Sequence, residues 1–218
     1  MVKTSPHRNS DGNRGGKRQP GQSQKKPVAN SARLVLLNKP YGVLSQFTGG
    51  DKTLADLVPV KEVYPAGRLD KDSEGLLILT DHGPLQHRIS HPARKLQKYY
   101  WVQVEGLVTD EALRNLCEGV MLNDGSAKAL SATRIEAPDI WPRQPPVRYR
   151  ASVPDSWIQI SLSEGRNRQI RRMTASVGFP TLRLIRYQIG KWAIDNISSG
   201  KYQTIVIKSE QLTRLLND

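Results

Sequence analysis

Five short segments with strand character constrain the fold more than any other feature of this chain. Each is apolar or rich in β-branched and aromatic residues, and turn residues bound it. They are residues 33–38, 75–80, 98–105, 153–163 and 181–189. Helical spacing marks residues 109–119 and 167–177, a short helix is expected after Asp81, and residues 202–207 and 210–216 close the chain.

The strand segments do not alternate regularly with helices, as βαβ units would require. We therefore predict an α+β fold with a mixed, mainly antiparallel sheet and flanking helices. Residues 136–154 contain five prolines and no periodicity, so we predict a long surface loop there, either an RNA contact or a plain linker.

The first 30 residues contain seven Lys or Arg, one Asp, four Gly and three Pro, with almost nothing to bury. This composition predicts disorder. We expect a disordered basic tail over residues 1–31 and one folded domain over residues 32–218. The tail is either a solubilising extension or an arm that grips RNA phosphates, and the sequence does not separate these alternatives.

The net charge of +13 and the sequence pI near 10.0 favour a polyanionic partner, with nucleic acid ahead of an anionic membrane. Six of these charges belong to the first 30 residues, so seven remain on the rest of the chain. No stretch approaches the ~20 apolar residues of a membrane-spanning helix, and the first 30 residues contain no signal-peptide core. We expect a soluble, cytoplasmic protein.

The segment from Gly67 to Gly75, GRLDKDSEG, is a charged loop between two glycines, directly before an apolar strand. A constrained loop at a strand end is a common place for a catalytic group. The alternating carboxylates also resemble a calcium loop, but Lys71 would put a cation inside the cage, and Pro65 disfavours the entering helix. A catalytic carboxylate and an ordinary charged turn both remain open at this point.

Two further segments suggest RNA binding. The segment 164–173, EGRNRQIRRM, carries four arginines where a turn leads into a helix, and guanidinium groups suit phosphate, although a solvated basic face is the simpler reading. In KYYWV, residues 98–102, strand alternation directs Lys98 and Tyr100 to one face and the other two aromatic rings to the opposite face. Tyr100 is thereby expected to face a cleft.

The sequence offers no metal or cofactor site. His87 and His91 lie four residues apart without a third ligand, and we expect all four histidines at the surface. Cys117 is the single cysteine and is expected in the core. No phosphate-binding or dinucleotide-binding glycine fingerprint is present, so we expect no cofactor.

Taken together, GRLDKDSEGLL, KYYWV and EGRNRQIRRM, in this order, resemble the ribosomal small-subunit-type branch of the pseudouridine synthases. The similarity extends over residues 34–184. Most members of that branch carry an amino-terminal S4-like domain, and this chain has only the short basic tail in its place. The resemblance implies a bent mixed sheet, two subdomains and a central RNA cleft that holds the loop with Asp70.

The resemblance also implies roles for individual residues. Asp70 becomes the catalytic carboxylate, Arg68 the residue that displaces the base, and Tyr100 the active-site tyrosine. Arg171 becomes the arginine that pairs with the carboxylate, with Arg168 one turn away as the alternative. The side chains expected to contact RNA are Lys98, Arg166, Arg168 and Arg172.

The implied reaction is the isomerisation of uridine to pseudouridine in ribosomal RNA, with 23S RNA favoured, by a monomer that needs no cofactor. The rival hypothesis is a non-catalytic RNA-binding or ribosome-assembly protein. Such a protein would use the positive charge and the arginine-rich helix but would have no use for Asp70.

Deleting residues 1–30 should weaken RNA binding and flatten its dependence on salt, because seven cations are lost, while the modified nucleotide stays the same. Titrations at several salt concentrations, with mapping of the modified site, test this expectation. A changed site would show that the tail selects the target.

Overall fold

The computed structural model describes residues 1–2, 31–91, 96–147 and 152–217. The predicted tail therefore lies almost entirely outside the described residues. The first strand begins at Ser31, so it includes the last residue that we had assigned to the tail.

The described chain forms a large sheet, a small hairpin and several helices. The strands are β1 (Ser31–Lys39), β2 (Tyr64–Pro65), β3 (Glu74–Thr80), β4 (Lys98–Glu105), β5 (Val120–Leu122), β6 (Gly125–Ala127), β7 (Ser131–Ile135), β8 (Asp155–Leu162), β9 (Thr181–Ile189), β10 (Trp192–Ala193) and β11 (Tyr202–Lys208). The α-helices are α1 (Gly83–Ser90), α2 (Asp110–Glu118), α3 (Gln169–Ser176) and α4 (Ser209–Asn217). A single 3-10 turn spans Leu54–Asp56.

The main path of the sheet has the order β11-β1-β3-β9-β4-β8-β7, with β2 paired to β3 and β10 paired to β9. The β3–β9 pair is parallel and short, whereas the other pairs described are antiparallel. The predicted α+β class with a mixed, mainly antiparallel sheet is confirmed.

Separate apolar clusters fill the two halves of this sheet. One cluster packs α2 and α3 onto β4 and β8. A second cluster lies between β1, β3, α1 and α4. A third cluster packs the segment from Val43 to Leu69 against the opposite face of β1 and β3. The two halves meet where β3 pairs with β9.

That junction depends on Gly75. Its φ is +98°, and a Cβ placed there would overlap the carbonyl oxygen of Arg186 on β9 and lie 2.9 Å from its carbonyl carbon. Glycine at this position therefore lets two strands approach more closely than any side chain would permit.

The described elements agree with most of the sequence pattern. Helix α1 follows Asp81 as expected, and residues 136–147 run without helix or strand between β7 and β8. Cys117 is half-buried and packs against the cluster under α2. No helix in the described residues is long and apolar enough to cross a membrane.

The expectation that all histidines lie at the surface is wrong for His82. This residue is 4% exposed and caps α1, because its Nδ1 accepts a hydrogen bond from the backbone N–H of Leu85 at 3.2 Å. An imidazole nitrogen can replace the side-chain oxygen that usually satisfies a free N–H at a helix start.

Replacing Gly75 with Ala should lower the free energy of unfolding by about 3 kcal/mol or more, since the Cβ collides with backbone and the φ is unfavourable. Urea denaturation measures the loss. Gly178→Ala is the matched control: its φ is also positive at +90°, but nothing lies within 4 Å of the added Cβ, so the cost should be about 1 kcal/mol. Equal losses in the two variants would contradict the close approach.

Candidate active site

The loop that carries Asp70 is held by its backbone. Five consecutive carbonyl groups, those of residues 68–72, each accept a hydrogen bond. In chain order, the donors are Arg186 Nη1 (3.3 Å), Ser45 Oγ (2.7 Å), Ser73 N (3.0 Å), Gly42 N (2.8 Å) and Arg171 Nη2 (2.7 Å). Ser45 Oγ also accepts from the N–H of Leu69 at 3.0 Å. These bonds fix the position from which the Asp70 side chain projects.

The Asp70 carboxylate is about one-third exposed, and its Oδ2 lies 3.9 Å from Arg168 Nη1. We expected Arg171 to make this ion pair, with Arg168 as the alternative, and the structure shows the alternative. Arg171 donates instead to the backbone oxygen of Asp72 and lies 3.4 Å from its side chain. Arg168 lies one residue before the start of α3, and from there its side chain reaches both Asp70 and Asp72.

Asp72 is the anchor for both arginines. Its two oxygens accept hydrogen bonds from Arg168 Nη1 and Nη2, each at 3.0 Å. Burial alone would raise the pKa of this carboxyl, but the hydrogen bond from Arg168 and the charges of Arg171 and Arg168 outweigh it, so the pKa lies below its ordinary value. Burial lowers the pKa of Arg171, and the neighbouring carboxylates oppose that shift. Asp72 therefore holds the guanidinium group of Arg168 beside Asp70 and that of Arg171 against the loop.

Arg168 adopts a left-handed backbone conformation, with φ +48° and ψ +31°. For a residue with a Cβ this conformation costs on the order of 1 kcal/mol. The bidentate contact with Asp72 helps to hold the residue there.

A cavity of about 550 Å³ opens beside Asp70. Among the described residues that line it, Asp70 is the one carboxylate. The cationic lining side chains are Arg68, Lys71, Lys98, Arg166, Arg168 and Arg186. Tyr100, 7% exposed, lines the same cavity as Lys98, which confirms the alternation that we predicted for this strand. The opposite ring, Trp101, stacks on Tyr187 at 4.4 Å.

Lys98 and Arg186 form an unusual pair within this cavity. Burial and, to a smaller extent, the charge of Arg186 together lower the pKa of Lys98 to about 8. Arg186 is 4% exposed and donates from Nε to Leu76 O at 2.9 Å. Its Nη2 is buried and has no hydrogen-bond partner among the described residues.

Arg68 lies at the exposed side of the cavity. Its Nη2 donates to Gln46 Oε1 at 3.3 Å, a long bond between exposed groups. This side chain can leave its partner at little cost.

Arg166 and Arg172 are partly exposed, but both guanidinium groups are engaged in contacts within the protein. Arg172 binds both oxygens of Asp124, at 2.7 and 3.0 Å. Arg166 contacts Asp124 and Glu164, and it donates to backbone oxygens of the β5–β6 hairpin. Together they hold that hairpin against the start of α3, a role that the sequence pattern did not predict.

The sequence interpretation also missed a buried ion pair next to the loop. Glu74 accepts two hydrogen bonds from Arg183, at 2.8 and 2.9 Å, and one from Trp141 Nε1 at 2.8 Å. Lys39 is fully buried and donates to two backbone oxygens, and burial lowers its pKa to about 8. Charged residues inside otherwise apolar strands were the available signal for Lys39, Arg183 and Arg186.

Within the described residues, no group of three His, Cys, Asp or Glu side chains is arranged to hold a metal ion. The described lining of the cavity combines one carboxylate, an aromatic ring and surrounding cations.

The comparison with known families identifies the class of protein to which this site belongs. The family model described as RNA pseudouridylate synthase matches residues 33–176. The chain belongs to this family and is a pseudouridine synthase, an enzyme that isomerises uridine in RNA.

Individual members of the family are similar to this chain over most of its length. The chain is 56% identical to the ribosomal large subunit pseudouridine synthase E of Xanthomonas campestris pv. campestris, over 78% of this chain and 94% of the relative. It is 49% identical to the protein of that name from Vibrio vulnificus, over 88% and 84%. A crystal structure of a pseudouridylate synthase superposes with a TM-score of 0.65 at 27% identity, over 84% of this chain and 74% of the other.

Replacing Asp72 with Asn should reduce the single-turnover rate of pseudouridine formation at least ~10-fold, because Arg168 loses the charge that positions it beside Asp70 and Arg171 loses its ion pair with the loop. RNA affinity should stay equal or rise, since a negative charge is removed from a surface that meets phosphate. Asp51→Asn, at an exposed loop position, is the control and should leave the rate unchanged. A normal rate with weakened RNA binding would contradict this role of Asp72.

Proposed function

We propose that this chain converts one uridine of the large-subunit ribosomal RNA, the 23S RNA of bacteria, to pseudouridine. Asp70 is the reacting group, and the enzyme acts as a monomer in the cytoplasm without a cofactor. The names of the 56% and 49% identical relatives support the large-subunit substrate.

The observation that carries the proposal is the single carboxylate in the described lining of a strongly cationic cavity. A protein that only bound RNA would gain nothing from a carboxylate there, because it repels phosphate. A reaction at a ribose carbon requires such a group, since the carbon develops positive character as the base departs.

The reaction breaks the bond between uracil N1 and ribose C1′ and joins uracil C5 to the same carbon. The base leaves with the bonding electron pair, C5 later loses its proton, and N1 gains one, so the product is an isomer and no redox partner is needed. The Asp70 carboxylate either attacks C1′ and is later displaced by C5, or removes the C2′ proton and returns it. Both routes need the carboxylate to be held in one place, and Arg168, with Nη1 3.9 Å from Oδ2, is positioned to hold it.

The target nucleotide is hidden in folded RNA and must be flipped into the cavity, at a cost of a few kcal/mol. Arg68 suits this step, because it is exposed, lines the cavity and has only a weak bond to Gln46. Its guanidinium group can occupy the space that the base vacates and contact the adjoining phosphates.

Tyr100 provides the surface for the detached base. Its ring is buried at the cavity wall, opposite to the face on which Trp101 stacks, so it offers a flat apolar contact to uracil. Its hydroxyl group is suited to assist the loss of the C5 proton.

Asp70→Asn should abolish pseudouridine formation, because the amide neither attacks C1′ nor removes a proton, while RNA affinity should change by less than about twofold. The measurement is pseudouridine mapping in 23S RNA from a strain that lacks the native gene and carries each variant. Asp195→Asn, on an exposed turn, is the control and should restore the modification. Modification that survives Asp70→Asn would overturn the assignment.

A further inference from the structure

We expected Lys98 to contact RNA and to share a strand face with Tyr100. The structure places it in the cavity with Asp70 and Tyr100, at the first position of β4. Its Nζ donates to Leu96 O at 3.0 Å, which leaves two further donors. Because the pKa of Lys98 is about 8, most of the molecules carry this side chain as the charged ammonium at pH 7.

Arg186 lies close enough for its charge to act on Lys98. Neither cation has a carboxylate within ion-pair distance among the described residues. The charges of Glu74, Asp72 and Asp70 act on a different cation, Lys39. Two backbone oxygens hold Arg186, and its Nη2 has no partner among the described groups. Two adjacent cations of this kind are costly, because desolvation is not compensated by an opposite charge.

Such a cost is tolerated where the reaction itself supplies the missing negative charge. When the N1–C1′ bond breaks, the electron pair moves onto uracil, and the charge is shared between N1 and the carbonyl oxygens O2 and O4. Preorganised cations in a water-poor cavity stabilise charge of this kind far better than water does.

We propose that Lys98, with Arg186 behind it, stabilises the uracil anion that forms on cleavage, and that Lys98 contacts a carbonyl oxygen of the base. Lys98 is then a catalytic residue, and Arg186 a positioning residue that acts through its charge and through the carbonyl of Arg68. This inference rests on the proposed function, because it assumes that a uridine enters the cavity.

The first test replaces Lys98 with Met, which keeps the length of the stem. The substrate is a 23S RNA stem-loop that contains the mapped uridine, and the single-turnover rate is measured at saturating enzyme. The rate should fall by about 100-fold or more, while the Kd for RNA should change less than threefold. Lys98→Arg should recover part of the rate, because the charge is kept. Lys208→Met, a surface charge on β11, is the control and should keep the normal rate.

The melting temperature of Lys98→Met should be unchanged or higher, since an unpaired, partly buried charge is removed. A slower enzyme that is as stable as the wild type separates catalysis from misfolding. If Lys98 instead contacts phosphate, the Kd weakens, its salt slope falls by about one, and the saturated rate is normal. That result overturns the proposal.

The second test identifies the contact atom. The target uridine is replaced by 2-thiouridine or 4-thiouridine, since sulfur is a poorer hydrogen-bond acceptor than oxygen. At one of the two positions, sulfur should slow the wild type at least ~10-fold more than it slows Lys98→Met, because the variant has already lost the contact. Equal effects of sulfur on both enzymes, at both positions, would overturn the inference. Failure of the wild type on the unmodified stem-loop would instead count against the proposed function.

Discussion

The close approach of β3 and β9 at Gly75 is the constraint on which the rest of the site depends. Because no side chain separates the strands there, β9 lies directly against the end of the loop that holds Asp70. Arg183 then reaches Glu74, and Arg186 reaches the carbonyl of Arg68. A larger residue at position 75 would move the two halves of the sheet apart, and with them the two walls of the cavity.

How far the sequence predicts this molecule depends on the range of the interactions. The strands around Leu77, Tyr100 and Ile185 follow from local patterns, as does the placement of Asp70 in a constrained loop. The short strands β2, β5, β6, β7 and β10 were not predicted, because segments of two to five residues have too few alternating positions to show a period.

The pairing of side chains was less predictable than the elements that carry them. The family resemblance implied an arginine beside Asp70, with Arg171 first and Arg168 as the alternative, and it is the left-handed residue Arg168 whose guanidinium group lies there. Asp124 lies on a hairpin that we did not predict, and it forms ion pairs with both Arg172 and Arg166. Such pairings arise from contacts between residues some 40 to 100 positions apart, which no local window contains.

The arrangement of charge separates a catalyst from a protein that only binds RNA. For binding alone, cations belong on the surface, where they meet phosphate without desolvation. Here Lys98 and Arg186 are withdrawn into a cavity with Asp70, at a cost in stability that phosphate binding does not require. In the reaction that we propose, negative charge starts on Asp70 and develops on the departing base, with Arg168 beside the first position and Lys98 beside the second. Stabilising this developing charge would give the buried cations a role that a cation on the surface could not fill.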